Sequence, residues 1–534
     1  MRASDVARLN ATPKKAFVFI GFMGAGKSTV AGEVAASLGT RALDSDRLLE
    51  ARFGHSIAEE FERAGEASFR ATEEELACAL LAEAEPGTII ALGGGSVLSP
   101  KVRAALKPHV TVMLDIDAEV AWKRVGGGSG GQEKRPLAAD REAFLALYDS
   151  RAGLYEDLAD AILPAPAPRI GLRALPALCG LSEAPAGTRL LWASSDSGEY
   201  PVFVGRGLLS PETYSRNGLW PCDGAASRPF CVSDQNVARL YAERLGGVQE
   251  LIEIAPGEPN KTLASAESVW GALAAGGMTR ADHVVALGGG VVGDLAGFCA
   301  ATYQRGVPVI HVPTSLVAQV DSAYGGKTGV DLAQAKNYVG AYHQPAGVIV
   351  DPDTLASLPG PEFSAGYAEV LKTALIAGGE LWRSVAAGEP LDERTIFACA
   401  RTKLAVVSED ERDAGRRQML NLGHTVGHAL ETVTEYERYR HGEAVGLGLL
   451  AALRLSNLPE LRAHVAELLA AHGLPVTLDG EDVERIIEAT MRDKKRTGAH
   501  VPFVLLGAPG DARIGCHVPK DELRAAVTEL QAHE

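Results

Sequence analysis

Two histidines four residues apart are the first residues whose types and spacing suggest chemistry. His424 and His428 lie in the run NLGHTVGHAL, residues 421–430, which the sequence predicts to be helical. Residues at positions i and i+4 share one face of a helix, so both imidazoles could serve one metal site. A zinc protease has glutamate directly after the first histidine, and Thr425 stands there instead. The pair therefore predicts a site of another kind, completed by residues elsewhere in the chain.

Candidate partners for these histidines occur in two other segments predicted to be helical. Glu369 and Lys372 lie three residues apart, on one face of YAEVLKTAL, and His441 begins HGEAVGLGLLAAL. Catalytic zinc takes three ligands from protein, typically histidine and carboxylate, and keeps one position open. A single buried histidine is more often a satisfied core residue, but three segments that each offer a ligand favour a metal site. The candidate ligands from the residues alone are Glu369, His424, His428 and His441.

A phosphate-binding loop is predicted near the N-terminal end. GFMGAGKST fits G-x-x-x-x-G-K-[ST], with Gly21, Gly26, Lys27 and Ser28 at the defining positions. The loop follows an apolar strand and precedes a helix, which is the context that the motif requires. Backbone N–H groups at such a helix start bind phosphates, the lysine neutralises phosphate oxygens, and the serine binds Mg²⁺. The motif therefore predicts a nucleoside triphosphate site.

Residues that could hold an acceptor substrate follow this loop. Asp44 and Asp46 lie two apart at a strand end, where one could support Mg²⁺ and the other could orient an acceptor hydroxyl. Forked guanidinium groups hold a planar carboxylate well. Any one arginine alone would more often lie on the surface, so it is the combination that indicates an acceptor pocket. The further candidates are the arginines Arg70, Arg135 and Arg151 and the triple glycine 93–95.

A second glycine-rich turn and a lysine-rich loop occur in the C-terminal half. Gly288, Gly290 and Gly293 fit G-x-G-x-x-G, a weak signal that gains weight because it follows a strand and opens a helix. Polar groups at Asp234 and Asn236 follow an earlier strand and could meet a ribose. The loop after VDSAYGG combines glycine with cationic and amide side chains, which suits an anion, although a plain surface loop is the alternative. Its candidate residues are Lys327, Lys336 and Asn337.

Composition excludes several classes of protein. The formal net charge of -16 disfavours general binding to nucleic acid or anionic membranes, which needs a basic surface. The seven cysteines are odd in number, scattered and without a C-x-x-C pair, so we expect a reduced, cytoplasmic protein rather than a disulfide framework. The first residues lack an apolar signal core, and no apolar run approaches the length of a membrane span.

Two α/β regions must position these residues. Apolar strands alternate with helical stretches in the first half, which predicts a parallel sheet with helices on both faces. LPAPAPRIGLRALPALCGLSEAPAG, rich in proline and alanine, is interpreted as a linker region with one short helix, and the boundary is placed near residues 182–187. A second α/β alternation follows, and the pattern becomes mainly helical from about Glu362. We therefore predict domains at 1–181 and 188–534, the latter divided into an α/β part (188–360) and a helical part (361–534).

The N-terminal half resembles shikimate kinase over about residues 14–172. The resemblance rests on the ordered set of loop, D-x-D pair, F-R, triple glycine, R-P-L and R-x-x-L-Y. It implies a P-loop kinase that transfers phosphate from ATP to shikimate with Lys27, Asp46 and Arg135 in the reaction. Asp46 would bind the acceptor hydroxyl, Arg135 would be the lid arginine, and Arg124 would stack on adenine. The implied ATP and Mg²⁺ residues are Gly24, Ala25, Gly26, Lys27, Ser28 (the Mg²⁺ ligand), Thr29, Asp44, Arg124 and Arg135. The implied shikimate residues are Asp46, Arg70, Gly93, Gly94, Gly95 and Arg151.

The C-terminal half resembles 3-dehydroquinate synthase over about residues 188–534. The motifs are G-G-G-V-x-G-D, P-T-S-L-x-A-x-x-D-S, G-G-K-T-G-x-D, N-x-G-H-x-x-G-H and H-G-E-A-V. The resemblance implies an NAD-binding α/β subdomain and a helical subdomain with Zn²⁺ or Co²⁺ at Glu369, His424 and His441. The implied NAD residues are Asp234, Asn236, Glu258, Lys261, Gly289, Gly290, Val291, Asp294, Thr314, Ser315, Lys327 and Lys336. The residues implied to face the substrate DAHP are Arg305, Asp321, Lys327, Asn337, Lys372, Lys403, Arg417, Asn421, His428 and one of Lys494 or Lys495.

These resemblances together imply a bifunctional shikimate-pathway enzyme, and they split the opening histidine pair. His424 would bind the metal, whereas His428 would relay protons near the substrate phosphate. Small-molecule substrates and a homodimer formed through the C-terminal half are expected, without nucleic-acid or membrane partners. One alternative is a P-loop kinase fused to a metal-dependent polyol dehydrogenase, which would not need the basic cluster and would accumulate NADH. Another is a scaffold with one inactive half, which the retained site residues disfavour.

Overall fold

The computed structural model describes residues 13–126, 140–210, 227–332, 335–491 and 501–531. Contacts divide the chain into two compact units. The first unit comprises Met1–Trp192 and Tyr200–Ser227, and the second comprises Ala193–Glu199 and Arg228–Glu534. The division falls within two consecutive strands, β6 (Arg189–Ser195) and β7 (Gly198–Val204), which follow the predicted boundary at residues 182–187. None of the helices in the described ranges is long and apolar enough to cross a membrane.

A parallel sheet lies at the centre of the first unit, as the sequence predicts. Strand β1 (Phe17–Ile20) pairs in parallel with β3 (Ile89–Ala91) on one side and β4 (Val110–Ile116) on the other. Beyond these, β2 (Leu43–Asp44) pairs with β3, and β5 (Ala161–Ala165) pairs with β4. All residues of β1 and β3 are buried, since strands covered on both faces need apolar side chains throughout. The phosphate loop therefore leaves the sheet from a central strand.

Helices connect these strands. Helix α1 follows the phosphate loop directly, and α3 carries Arg70 beyond an interruption at Gly65, whose φ of 78° and ψ of 164° are not helical. The helices of the described part of this unit are α1 (Lys27–Ser37), α2 (Ser45–Phe53), α3 (Ile57–Ala82), α4 (Pro100–Leu106), α5 (Ala118–Gly126), α6 (Arg141–Leu158) and α7 (Ile170–Glu183).

The stretch interpreted as a linker is instead part of the first unit's core. Its second part forms α7, and Ile170, Ala174 and Leu178 of this helix are fully buried. The helix packs closely on α1, because a Cβ on Gly171 would lie 2.7 Å from side-chain carbons of Val30 and Val34. The proline and alanine content suggested a linker. Apolar side chains four residues apart instead form one face of a helix, and this face is buried in the core.

The second unit also contains five neighbouring parallel strands. They run in the order β9 (Glu250–Ile254), β8 (Pro229–Asp234), β10 (His283–Gly288), β11 (Val309–Pro313) and β14 (Gly347–Val350), each parallel to its neighbour. The carboxyl ends of β8, β10 and β11 carry several of the residues predicted to bind NAD, which is where open α/β sheets bind ligands. A separate antiparallel hairpin carries Lys327 and Lys336. It consists of β12 (Lys327–Leu332) and β13 (Ala335–Tyr342).

The later part of the second unit is mainly helical, as predicted. Helix α10 follows the glycine turn, α11 carries Glu369, and α15 begins with His441. The described helices of this unit are α8 (Gln235–Tyr241), α9 (Leu263–Ala275), α10 (Gly290–Thr302), α11 (Gly360–Ala377), α12 (Gly379–Ala386), α13 (Glu393–Glu409), α14 (His424–Val433), α15 (His441–Leu455), α16 (Pro459–Ala471), α17 (Val483–Met491) and α18 (Lys520–Thr528). A hairpin of β15 (Phe503–Leu506) and β16 (Ala512–Cys516) precedes α18.

The run containing the two histidines is not one helix, which corrects the prediction. Helix α14 begins at His424, whereas residues 416–421 form a separate 3-10 turn. Gly423 has a φ of 80°, and a Cβ there would lie 3.0 Å from Leu449. Glycine adopts this left-handed conformation without strain, so it breaks the helix at this point. Asn421 is therefore not on the histidine helix, while His424 and His428 remain one turn apart on α14.

Candidate functional site

The predicted phosphate loop forms a glycine-dependent turn between β1 and α1. Gly21, Gly24 and Gly26 have φ values of 138°, 85° and 90°, which favour glycine. The ammonium of Lys27 folds over the loop and donates to the carbonyl oxygens of Gly21, at 2.9 Å, and Phe22, at 3.3 Å. The exposed residues Ser28 and Thr29 lie in the first turn of α1. Helix N–H groups, a cation and a hydroxyl thus occur together where phosphate and Mg²⁺ would bind.

Other predicted nucleotide residues surround this loop. Ala25 is buried within it, and Nη2 of Arg124 would lie 3.7 Å from a Cβ on Gly26. Asp44 caps α2, where its carboxylate accepts the backbone N–H of Arg47 at 3.2 Å, so it also holds the local structure. The predicted lid residue Arg135 lies outside the described residues.

The triple glycine brings the predicted acceptor residues together. A Cβ on Gly93 would lie 2.6 Å from Asp46 Oδ1 and 2.7 Å from Glu73 Oε1. A Cβ on Gly95 would collide with the guanidinium group of Arg70. The absence of side chains at these glycines therefore lets a carboxylate and a guanidinium approach the same loop.

Glu73 is a residue of this pocket that sequence reasoning missed. It is 3% exposed, its Oε2 lies 2.6 Å from Nη1 of Arg70, and its Oε1 accepts the hydroxyl of Ser96 at 2.9 Å. Burial opposes the charge on Arg70, but the carboxylates of Glu73 and Glu66 together raise the arginine's pKa. Its i, i+3 spacing from Arg70 on a helix was the available signal.

Arg151 lies on α6 and interacts with Tyr155, which contacts the same loop. It is 7% exposed and lies one turn before Tyr155, whose hydroxyl donates to the carbonyl oxygen of Gly94 at 2.5 Å. Burial raises the pKa of Tyr155 to about 12, so this hydroxyl stays a donor at neutral pH. Tyr155 thus fixes α6 against the triple glycine, and the residues predicted for shikimate lie around one loop.

The second unit has a glycine turn suited to a pyrophosphate. Gly288 ends β10 and α10 begins at Gly290. A Cβ on Gly289 would lie 3.0 Å from Ser315 Oγ, a buried hydroxyl that makes no hydrogen bond within the described residues. The backbone N–H of Thr314 donates to Gly288 at 3.0 Å. Half-buried Val291 follows in the first turn of the helix, so backbone N–H groups and hydroxyls face the same place.

A buried lysine with three acids lies beside this turn. Lys261 Nζ is 2.7 Å from Glu258, 3.3 Å from Asp294 and 3.8 Å from Asp331. Burial raises the pKa of Asp294 to about 6, although Lys261 opposes the shift. These groups form a polar cluster at the predicted nucleotide site, and Asp331 was not anticipated.

Two predicted ribose residues lie at the end of β8. Asp234 caps α8, with its Oδ1 accepting the N–H groups of Asn236 at 2.9 Å and Val237 at 3.1 Å. Asn236 itself is exposed. The cap occupies one oxygen of Asp234, which leaves its second oxygen available for a ligand.

Buried lysines converge on Asp321. Lys372 Nζ lies 2.7 Å from Asp321 Oδ2, and Lys403 donates to both the carbonyl and Oδ1 of the same residue. Lys372 also lies 2.6 Å from Glu369 Oε2. Burial, with a contribution from Arg417, lowers the pKa of Lys403 to about 7. Lys403 can therefore change its protonation near neutral pH.

A second cationic pair extends this cluster. Lys327 Nζ lies 2.6 Å from Asp413 Oδ2, whereas the buried Asp413 Oδ1 makes no hydrogen bond among the described residues. Arg417 is 2% exposed and donates to the carbonyl oxygens of Gly325, at 3.0 Å, and Glu411. Asp413 is another residue that the sequence analysis missed.

The remaining residues predicted to contact the substrate do not all lie in this cationic cluster. The N–H of Asn337, a residue with a φ of 54°, donates to Asp331 at 2.7 Å, and the Asn421 amide donates to Gln418 at 3.0 Å. Arg305 is exposed, and no hydrogen bond or ion pair joins it to the cluster within the described residues. The structure thus does not bring Arg305 together with the others. Lys494 and Lys495 lie outside the described ranges.

The three predicted metal ligands lie together. Glu369 Oε1 is 3.5 Å from His424 Nε2 and 3.3 Å from His441 Nε2, and all three ligand atoms lie within 4.8 Å of one another. His424 Nδ1 lies 3.2 Å from the carbonyl oxygen of Leu422, which leaves Nε2 as the nitrogen directed at Glu369. A histidine that donates through one nitrogen and binds metal through the other is the usual arrangement.

Protonation in this cluster fits a divalent cation. Burial lowers the pKa of His424 well below its usual value, so this ligand is neutral. Burial opposes protonation of His441, but hydrogen bonds with Glu369 and Glu431 raise its pKa to about 10. The buried Glu369 Oε2 makes no hydrogen bond among the described residues, although Lys372 lies near. A metal ion could replace the proton on His441, and one oxygen with two nitrogens suits Zn²⁺ or Co²⁺.

His428 and Glu431 extend the cluster on the other side of His441. The three residues have ligand atoms within 4.8 Å of one another, so they form a second group that could hold metal. The His428 ring lies 5.3 Å from that of His424 and 6.1 Å from that of His441. Glu431 was not anticipated, although its position seven residues after His424 on the same helix was a signal.

Comparisons with known families agree with the division of the chain into an N-terminal and a C-terminal half. The family model of the 3-dehydroquinate synthase N-terminal part matches residues 251–365, and that of the C-terminal part matches residues 366–496. The shikimate kinase model matches residues 23–167. These matches cover most residues of the sites described above and confirm the predicted order of the two halves.

Individual relatives agree for the second half. The chain is 43% identical to the 3-dehydroquinate synthase of Halorhodospira halophila over 341 residues, which cover 61% of this chain and 94% of the relative. It is 40% identical to that of Symbiobacterium thermophilum over 354 residues, covering 62% and 98%.

Solved structures agree on the fold of this half. The 2-epi-5-epi-valiolone synthase ValA of Streptomyces hygroscopicus, solved with NAD⁺ and Zn²⁺ bound, has a TM-score of 0.56 and 25% identity, covering 63% of this chain and 98% of ValA. A 2-deoxy-scyllo-inosose synthase has a TM-score of 0.54 and 26% identity, covering 64% and 99%. The chain belongs to the 3-dehydroquinate synthase family, and with its N-terminal shikimate kinase domain it is a bifunctional shikimate-pathway enzyme.

Proposed function

We propose that the first unit phosphorylates shikimate with ATP and Mg²⁺, and that the second converts DAHP into 3-dehydroquinate with NAD and a divalent metal ion. The observation that carries the second assignment is the convergence of Glu369, His424 and His441 beside a cluster of buried lysines. A polyol dehydrogenase would need the metal ligands but not that basic cluster. The cluster instead suits a substrate with phosphate and carboxylate groups.

In the second unit, each residue has a proposed task. When bound, NAD supplies reversible hydride acceptance, and the metal ion would polarise the hydroxyl group on the carbon to be oxidised. Lys327, Arg417 and Lys372 neutralise the charges of the substrate. Lys403, whose pKa is lowered to about 7 by burial, can take up a proton as an anion approaches. His428, beside the metal ligands, moves protons near the departing phosphate.

In the first unit, positioning and charge neutralisation account for the proposed chemistry. Lys27 leaves its carbonyl partners to bind phosphate oxygens, and Ser28 binds Mg²⁺. Arg70, held by Glu73, and Arg151 bind the carboxylate of shikimate. Asp46, which lies against Gly93, orients the hydroxyl that attacks. In-line phosphoryl transfer requires little covalent help from protein beyond these contacts.

Two further properties belong to this proposal. We propose a homodimer formed through the second unit and a cytoplasmic location. The latter is supported by the free cysteines among the described residues. Light scattering of the purified full chain tests the first point, since a monomer at micromolar concentration would contradict it.

Paired assays on the purified full chain test the proposed activities. Phosphate release from DAHP should be lost with a chelator and restored by Zn²⁺ or Co²⁺, while shikimate-dependent ADP formation should require Mg²⁺. Lys27→Met should abolish only ADP formation, and Glu369→Gln should abolish only phosphate release from DAHP. Glucose 6-phosphate, which lacks a carboxylate, serves as a control substrate. Stoichiometric build-up of NADH would instead support a dehydrogenase, and a variant that leaves both activities intact would refute the two-site assignment.

A further inference from the structure

Glu431 is a buried carboxylate that the proposed chemistry does not use. It lies on α14, is 3% exposed, and occupies the side of His441 opposite to Glu369. Its two oxygens lie 3.4 and 3.5 Å from His441 Nδ1. A buried carboxylate is costly unless it is paired, so this contact has a strong energetic reason to persist.

His441 is thus held between two carboxylates through its two ring nitrogens. Nε2 faces Glu369 at 3.3 Å, whereas Nδ1 faces Glu431. A neutral imidazole carries a proton on one nitrogen and a lone pair on the other. A proton shared between Nδ1 and Glu431 leaves the lone pair of Nε2 directed at the metal position.

We propose that Glu431 is a positioning residue for the metal site, which fixes the tautomer and ring orientation of His441. The inference rests on the proposed site at Glu369, His424 and His441. A carboxylate that accepts from a ligating histidine raises the basicity of that ligand and restricts its rotation. The α14 helix then supplies one ligand, His424, and the support for another.

Lys336 holds Glu431 in place from the other side. Its Nζ lies 3.4 Å from Glu431 Oε1, 3.8 Å from Glu258 and 4.2 Å from the centre of the Tyr436 ring. The carboxylate therefore has a cation on one side and an imidazole on the other. Because Glu258 and Lys336 belong to the predicted nucleotide site, Glu431 joins that site to the metal ligands.

Metal affinity of Glu431→Gln tests this role. Glutamine keeps the size of the side chain but loses the charge that accepts from Nδ1. We expect roughly 10- to 100-fold weaker binding of Zn²⁺ in competition with a chromophoric chelator, which is typical for loss of such a partner. The visible absorption of bound Co²⁺ should also change, since a loosened ligand alters the coordination. Glu437→Gln changes an exposed glutamate shortly after the end of α14 and is the matched control. It should leave the Zn²⁺ affinity and the Co²⁺ absorption unchanged.

Two more variants distinguish the possible roles of Glu431. Glu431→Asp keeps the charge with a shorter reach and should bind metal with intermediate affinity. The combination of Glu431→Gln with Lys336→Met should weaken metal binding by less than the product of the single effects, because both act through one contact. Wild-type metal affinity and an unchanged Co²⁺ spectrum in Glu431→Gln would overturn the inference while leaving the proposed function intact. Metal that survives Glu369→Gln but is lost in both Glu431→Gln and His428→Ala would place the ion in the second group and overturn both.

Discussion

Replacement of Lys372 by methionine tests the charge balance at the centre of the second unit. Its ammonium is buried between Glu369 Oε2, at 2.6 Å, and Asp321 Oδ2, at 2.7 Å. Methionine has a similar length and no charge. After the change, Asp321 keeps Lys403 as a partner, whereas Glu369 keeps two histidines among the described residues. The substitution therefore removes the lysine beside Glu369, a carboxylate that is 1% exposed.

The expected effect differs between metal-free and metal-bound protein. Removal of one partner from a buried ion pair costs about 3–5 kcal/mol. At about 2 °C for each kcal/mol in a unit of this size, the metal-free transition should fall by about 6–10 °C. A divalent cation would satisfy Glu369, and the loss of Lys372 also removes a positive charge that repels the ion. Metal should therefore stabilise the variant by more than it stabilises the wild type.

Differential scanning calorimetry measures this effect, with and without excess Zn²⁺. The two units need not unfold together, so only the transition that Zn²⁺ shifts in the wild type is compared. Lys520→Met, a change at an exposed lysine of the same unit, provides the control and should leave both transitions unchanged. An equal Zn²⁺-induced shift in Lys372→Met and wild type would refute the idea that Lys372 and the metal share Glu369.

Three other predictions concern single side chains. Arg70→Met should raise the KM for shikimate about 10- to 150-fold, because a charged hydrogen bond contributes about 1.5–3 kcal/mol. The control Arg52→Met, at an exposed arginine, should leave the KM unchanged. An unchanged KM in Arg70→Met would exclude Arg70 from the acceptor pocket. His428→Ala should retain stoichiometric metal by elemental analysis while phosphate release from DAHP drops, and lost metal would make His428 a ligand. Burial lowers the pKa of His311 to about 4 in the folded protein. Between pH 6.5 and 4 the unfolded chain therefore binds a proton that the folded protein does not. The free energy of unfolding should fall as pH falls through this window, by up to about 3 kcal/mol. His311→Gln should therefore flatten the pH dependence of urea unfolding, and an unchanged slope would contradict the buried neutral histidine.

The parts of the site that could be predicted from the sequence are motifs whose residues are adjacent in the chain. The phosphate loop and the glycine turn before α10 each combine a strand end, glycines and a helix start within a few residues, so local rules suffice. The grouping of Glu369, His424 and His441 came from a resemblance, because their segments are distant in the chain. The structure brings these three together, although periodicity alone also allowed His428.

The acids that pair with the cations could not be predicted in the same way. Lys327 and Asp413 are 86 residues apart, and Lys336 and Glu431 are 95 apart. Nothing local in the sequence links such partners, since surface acids are frequent and only tertiary packing selects one. Helix α7 was misjudged for a related reason, because its proline and alanine content hid an apolar face that packing on α1 requires.

The path of the chain through β6 and β7 has a consequence for how the two enzymes could be separated. Residues 193–199 belong to the second unit, yet the described residues 200–210 return to the first. A break between residues 193 and 210 would therefore divide both units, because each fragment would lose a piece of its own unit. Separate production of each activity therefore depends on a break placed outside β6 and β7.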